Sequence, residues 1–88
     1  MRVHYAKRFE ARFRRLSHAY KRAVAEIIEA FIDTPYAGSL GNHALRGTMT
    51  GKRSLSVDHD LCIVFTVKGD YEEVTFLDVG THSEVYRA

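Results

Sequence analysis

The chain has 88 residues, 45% of them hydrophobic, with 13 basic and 11 acidic side chains and a formal net charge of +2. That balance excludes a disordered chain, and no apolar run is long enough for a membrane-spanning helix. The lone cysteine, Cys62, excludes an internal disulfide, so we expect one domain over residues 1–88, held by packing in a reducing cytoplasm.

Val3 to Tyr5 reads as a short opening strand. Phe9, Phe13, Leu16 and Tyr20 then recur at helical spacing with charges between them, and Val24, Ile27, Ile28, Phe31 and Ile32 continue the period. Ser17 is a natural cap at the break. The spacing therefore predicts two helices, Lys7 to Leu16 and His18 to Asp33, forming a hairpin that Pro35 ends. "TPYAGSLGN" is a loop by its turn residues.

Beyond the loop the period falls to two. "HALRG" is a short strand candidate, and "KRSLSVD" alternates, with Leu55 and Val57 on one face and Ser54 and Ser56 on the other. "LCIVFTV" is continuously apolar and β-branched, which predicts a central strand covered on both faces. Cys62 falls inside it and reads as a buried small residue. "DHD" and "KGD" are turn signals, and "YEEVTFLDVG" completes an antiparallel meander. The expected fold class is α+β, an N-terminal helical hairpin packed on one face of a small antiparallel sheet.

Charge is unevenly spread. Arg2, Lys7, Arg8, Arg12, Arg14, Arg15, Lys21 and Arg22 crowd the first quarter, while Arg46, Lys52 and Arg53 form a second group. The first cluster fits either an anionic partner or a solvated helix face, and both readings stay open. His43, His59 and His82 each fall at a predicted strand end or turn, near Asp60 and Tyr86. Strand ends of a meander converge, so these groups can share a rim. An imidazole titrates near neutral pH and can move a proton at a ribose hydroxyl or a leaving oxygen. A fixed guanidinium can stabilise charge on phosphorus oxygens. Together they suit RNA cleavage without a metal or cofactor. A metal site is not signalled, since the histidines are not paired on a helix face and one thiol is too few. The glycines are scattered and form no phosphate-binding loop.

The second half resembles the RelE superfamily of bacterial toxin–antitoxin toxins, in particular its YafQ-like branch. The residues that carry the resemblance are His43-Ala44-Leu45-Arg46-Gly47, Gly51, Arg53, Asp60-Leu61, Gly80-Thr81-His82 and Tyr86. The resemblance implies an endoribonuclease that cuts mRNA on the ribosome, with 2′-hydroxyl attack giving a 2′,3′-cyclic phosphate. It also implies a cognate antitoxin protein as partner in a hetero-oligomer. Carried over by position, His82 is a general acid or base and Asp60 a base or an orienting group. His43 opens the motif, Arg53 stabilises the transition state, and Tyr86 stacks on a base or orients the phosphate. Arg46 and Lys52 are phosphate-binding candidates from charge and place. Ser56 stands where the branch often has a second histidine, and His59, just before Asp60, is the candidate replacement. Two other readings share the scaffold: a ParE-like inhibitor of DNA gyrase without a catalytic site, and an attenuated toxin that only binds its antitoxin.

Overall fold

A computed structural model of the chain describes residues 1–86, so the last two residues of the expected domain lie outside it. A strand, β1 (Arg2–Tyr5), leads into helices α1 (Lys7–Arg15) and α2 (His18–Asp33). Strands β2 (His43–Ala44), β3 (Arg53–Ser56), β4 (Leu61–Lys68) and β5 (Glu73–Thr81) follow, and β5 runs straight into a one-turn helix, α3 (His82–Val85). The strands make a sheet in the order β1-β5-β4-β3-β2. No helix among the described residues is long and apolar enough to cross a membrane.

The helices begin and end where local chemistry dictates. Ser17 turns out of α1 with extended backbone, and its hydroxyl accepts the Tyr20 amide at 3.1 Å, capping α2. Pro35 disfavours helical backbone at the residue before it, and Thr34 leaves the helix with φ −145° and ψ 82°. On α1 the face bearing Phe9 and Phe13 turns inward, while Arg14 and Arg15 stay exposed.

The helices cover one face of the sheet. Phe9, Val24, Ile28 and Phe31 meet Leu55, Leu61, Ile63, Phe65, Val74, Phe76 and Val79 there. Phe31 stands edge-on to Phe65 at 5.1 Å and to Phe76 at 5.8 Å. Each buried phenylalanine contributes about 1.5–3 kcal/mol by burial, plus about 0.5–1.5 from its ring pairs. β4 is central and buried on both sides. Its alternate residues Cys62 and Val64 form a second cluster with Val85, flanked by Leu45, Met49, Leu77 and Tyr86.

The meander β2 to β5 is antiparallel, as expected, and the opening strand joins it in the other sense. β1 pairs with β5 in parallel, from Arg2↔Glu73 to Tyr5↔Phe76. A hairpin forces antiparallel pairing, but β1 reaches β5 through helices and the whole meander, so no short turn constrains its direction. β2 is also shorter than the predicted 43–47 stretch, because Gly47 adopts a φ of +63° and opens a tight helical turn over Gly47–Met49.

The free edge of β5 has two covers. β1 lies along its first half, and the last backbone bond of that pairing region runs from the Ala6 amide to the Phe76 carbonyl at 2.9 Å. α1 then packs along the second half. At the changeover β5 bulges: Val64 faces Asp78 and Phe65 faces Phe76, leaving Leu77 as the extra residue. The bulge aims Asp78 at α1, where it receives Arg8 Nε at 3.1 Å and meets Arg12 Nε at 3.6 Å.

Phe76 touches both helices and β4, so its truncation tests whether this aromatic cluster holds the domain. Phe76→Ala should lower the unfolding free energy by about 3–5 kcal/mol in urea titration. A loss below about 1 kcal/mol would show that the cluster is not the main support.

Candidate functional site

The second face of the sheet carries the chemistry. Side chains alternate along β3, so Leu55 enters the helix-side core and Ser54 faces the other way. Register then lays His43, Ser54, Val64 and Asp78 in one row across β2, β3, β4 and β5. α3 sits over this face, with Val85 buried in the second cluster.

Four residues cannot hold a helix by themselves, and α3 is tied at both ends. Thr81 and Glu84 form a reciprocal capping box: the Thr81 hydroxyl accepts the Glu84 amide, and Glu84 Oε1 accepts the Thr81 amide at 2.9 Å. Arg12 Nη1 lies 3.7 Å from Glu84 Oε2, so α1 clamps α3. Gly80 makes room for this clamp: a Cβ there would stand 2.8 Å from Glu84 Oε1 and 3.3 Å from Arg12 Nη1. That close approach is why the apolar strand closes on glycine. At the far end, the Tyr86 hydroxyl donates to Ser54 Oγ at 2.8 Å.

His82 opens α3. Its amide donates to the Asp60 carbonyl at 3.1 Å and approaches Asp60 Oδ1 at 3.3 Å, while its ring Nδ1 is 3.9 Å from the same oxygen. The Tyr86 ring meets the imidazole edge-on, with centroids 4.8 Å apart. A histidine and a tyrosine four apart thus stack on one side of a single turn. An open groove of about 400 Å³ runs beside them, lined by His43, Leu45, Arg46, Gly47, Thr48, Met49, His82 and Tyr86. His43 is fixed there through its Nδ1, 2.8 Å from the Gly41 carbonyl.

The groove therefore gathers His43, Arg46, His82 and Tyr86, with Asp60 behind His82. Three other expected site residues stand elsewhere. Arg53 shares the face of Leu55, and its Nε donates to Asn42 Oδ1 at 2.9 Å in a different cavity. The β3 alternation that turns Ser54 toward Tyr86 turns Arg53 away. Lys52 lines a separate hollow with Arg8, Leu77 and Asp78. His59 is exposed in the bend between β3 and β4 and does not line the groove. That bend is organised by Asp58, whose Oδ1 accepts the Asp60 and Leu61 amides. Ser56 lies on the Ser54 face beside Gly41, where a Cβ would come within 2.8 Å of its hydroxyl. Sequence reasoning passed over Ser54, Met49 and the Arg12–Glu84 pair. Only the last had a signal, the Thr81-x-x-Glu84 capping pattern.

Burial pushes the Tyr86 phenol above its ordinary value of 10.0, against the pull of its bond to Ser54. It stays a neutral donor at physiological pH. Burial likewise raises the Cys62 thiol, only partly offset by hydrogen bonds to Tyr86 and Ser54, so Cys62 is an inert packing residue. Among the described residues no three His, Cys, Asp or Glu side chains are grouped to hold a metal ion.

Residues 1–87 match the family described as bacterial toxin of type II toxin-antitoxin system, YafQ. The chain belongs to that family and is a toxin of the type II toxin–antitoxin class. Its fold is that of solved RelE-superfamily toxins. YafQ from E. coli superposes with a TM-score of 0.77 at 18% identity, covering 98% of this chain and 99% of that one. A YoeB/ParE toxin from Agrobacterium tumefaciens gives 0.77 at 19% identity, over 93% and 99%. The E. coli DinJ-YafQ toxin-antitoxin complex gives 0.73 at 19%, over 96% and 94%. No curated protein sequence gives a significant match.

The capping box has a pH signature. Hydrogen bonds from the Thr81 amide and hydroxyl, with a smaller contribution from Arg12, hold the Glu84 carboxyl below its ordinary 4.5 despite slight desolvation. The folded carboxyl is thus harder to protonate than the unfolded one. Its stabilisation is complete above the unfolded value and is lost as pH falls through the folded one. Urea midpoints of the parent should drop more steeply than those of Glu84→Gln between roughly pH 5 and 3. Parallel curves would show that the box contributes nothing.

Proposed function

We propose that this toxin is an endoribonuclease that cuts mRNA on the ribosome. One imidazole of the pair His82 and His43 takes the proton of a ribose 2′-hydroxyl. The freed O2′ bonds to the adjacent phosphorus, the bond from phosphorus to O5′ breaks, and the other imidazole returns a proton to the leaving O5′. The products are a 2′,3′-cyclic phosphate and a 5′-hydroxyl. Arg46 takes the transition-state role that the sequence pattern gave to Arg53, because Arg46 lines the groove. Asp60 positions His82 through the backbone amide and ring nitrogen. Tyr86 holds the imidazole edge-on and presents a ring to a flanking base.

The observation that carries this reading is the shared groove of His43, Arg46, His82 and Tyr86. A ParE-like binder has no use for two exposed imidazoles at such a rim. We further propose a cognate antitoxin protein as the partner that silences the toxin, supported by membership of a toxin–antitoxin family and by the likeness to the DinJ-YafQ complex. A ribosomal target and an antitoxin partner support a cytoplasmic site of action.

Induced expression should arrest growth and fragment mRNA, as read by primer extension. His82→Ala should slow cleavage by about a hundredfold or more, and Arg46→Gln by a similar factor. If His82→Ala cleaves like the parent, the catalytic assignment is wrong. If mRNA stays intact while gyrase supercoiling is inhibited, the gyrase-inhibitor reading replaces it.

A further inference from the structure

Arg53, displaced from the groove, belongs to a second site. It lines a cavity of about 380 Å³ with Pro35, Tyr36, Asn42 and Tyr71 among others, within the size range of small-ligand pockets. Its guanidinium is held in place. Asn42 Oδ1 accepts from Arg53 Nε at 2.9 Å, and Asn42 Nδ2 donates to the Tyr71 hydroxyl at 2.8 Å and to the Pro35 carbonyl at 3.2 Å. Among the described residues no carboxylate or carbonyl takes up the two Nη groups of Arg53. An oriented fork of N–H donors is thus left for an oxyanion.

The aromatic side of the cavity is equally prepared. Tyr36 is 67% exposed, the most exposed large apolar side chain among the described residues. It does not float: its hydroxyl bonds to Asp70, and its ring stands edge-on to Tyr71 with centroids 5.1 Å apart. Tyr71 carries the one positive φ of any non-glycine residue described, +61°. A bulky residue in left-handed backbone is strained. Here the strain sends its ring back to Tyr36 and its hydroxyl to Asn42.

We propose that this cavity is a subsite for one nucleotide of single-stranded RNA, with the base stacked on Tyr36 and the phosphate held by Arg53. Stacking on an aromatic platform beside a guanidinium is how single strands are gripped without sequence readout. The Asp70 carboxylate at the outer end of Tyr36 repels phosphate and directs it to the Arg53 side. Topology links the subsite to the groove. Asn42 and Arg53 line the cavity, while their chain neighbours His43 and Ser54 pair on the opposite face of the edge strand β2. A strand crossing that edge meets His82 on one side and Tyr36 on the other. The nucleotide comes from the mRNA substrate or from ribosomal RNA. The subsite rests on the ribonuclease reading.

The test uses the full chain carrying His82→Ala, so that RNA survives the measurement. Two probes are titrated: a fluorescein-labelled eight-nucleotide single-stranded RNA and vacant ribosomes. Tyr36→Ala should weaken one of the two by at least about fivefold, and Tyr36→Phe should bind within about twofold of its parent. Arg53→Gln should weaken the same probe and reduce the slope of log affinity against log salt by about 0.7, which Arg53→Lys restores. Loss on the oligonucleotide assigns the subsite to mRNA, and loss on ribosomes alone to ribosomal RNA. Unchanged affinity and slope for both probes, or a loss confined to antitoxin binding, overturns the proposal. The cleavage rate of the chain with His82 intact is read separately. If His82→Ala leaves cleavage unchanged, the catalytic reading falls whatever Tyr36 does. If cleavage depends on His82 while Tyr36→Ala leaves both affinities untouched, only the subsite falls.

Discussion

The pairing of Leu61 with Thr81 at the end of the β4–β5 ladder sets the positions of Asp60 and His82 beside the groove. It places Asp60, one residue before β4, against His82, one residue after β5. A slip of one residue would send each side chain of a strand to the other face, burying Asp78 among phenylalanines and exposing Phe76. The hydrophobic pattern therefore fixes the register, and the register fixes the chemistry. The bulge at Leu77 adds a second constraint. It lets Phe76 point to the helices while Asp78, two residues later, reaches Arg8 and Arg12.

The two faces of the sheet divide the work. The helix side buries the aromatic cluster and provides most of the stability a short chain can collect. The other side is a thin apolar layer of Cys62, Val64 and Val85 under exposed, proton-carrying side chains. α3 is too short to stand alone, so its order is borrowed from the capping box, the Arg12 clamp and the Tyr86–Ser54 bond. Arg12 contacts both Asp78 and Glu84 and so joins the folding half of the molecule to the half that bears the site. Part of the N-terminal basic cluster is thereby spent inside the protein. Arg12 is largely buried in these two ion pairs, while Arg8 stays exposed and adds one bond to Asp78.

Much of the architecture was legible because short-range rules govern it. Phe9, Phe13, Val24, Ile28 and Phe31 mark helices by period, Ser17 and Pro35 mark their ends, and the unbroken Leu61–Val67 run marks a strand buried on both sides. The parallel pairing of β1 with β5 was not legible, since nothing local to Arg2–Tyr5 encodes a partner 71 residues away. α3 was missed because a single turn has no period, although Thr81 and Glu84 stood at capping distance. The candidate groups His82, Asp60, His43 and Tyr86 came from an ordered motif, and the fold brings them to one region. Arg53 came from the same motif, while Arg46 and Lys52 were placed by charge and neighbourhood. For Arg53 the alternation of Leu55 against Ser54 already implied the opposite face, and that geometric signal outweighs the motif. His59 was a guess from proximity to Asp60, and the structure leaves it exposed in the bend, outside the groove's lining.

The central claim is that this register builds a site for attack by a ribose hydroxyl on its own phosphodiester, and the chemistry of the cut ends tests it most directly. Purified toxin, ribosomes and a defined mRNA should yield fragments whose termini, read by mass spectrometry, are a 2′,3′-cyclic phosphate and a 5′-hydroxyl. Fragments ending in a 3′-hydroxyl and a 5′-phosphate would mean that water, not the 2′-oxygen, is the nucleophile, and would contradict the account.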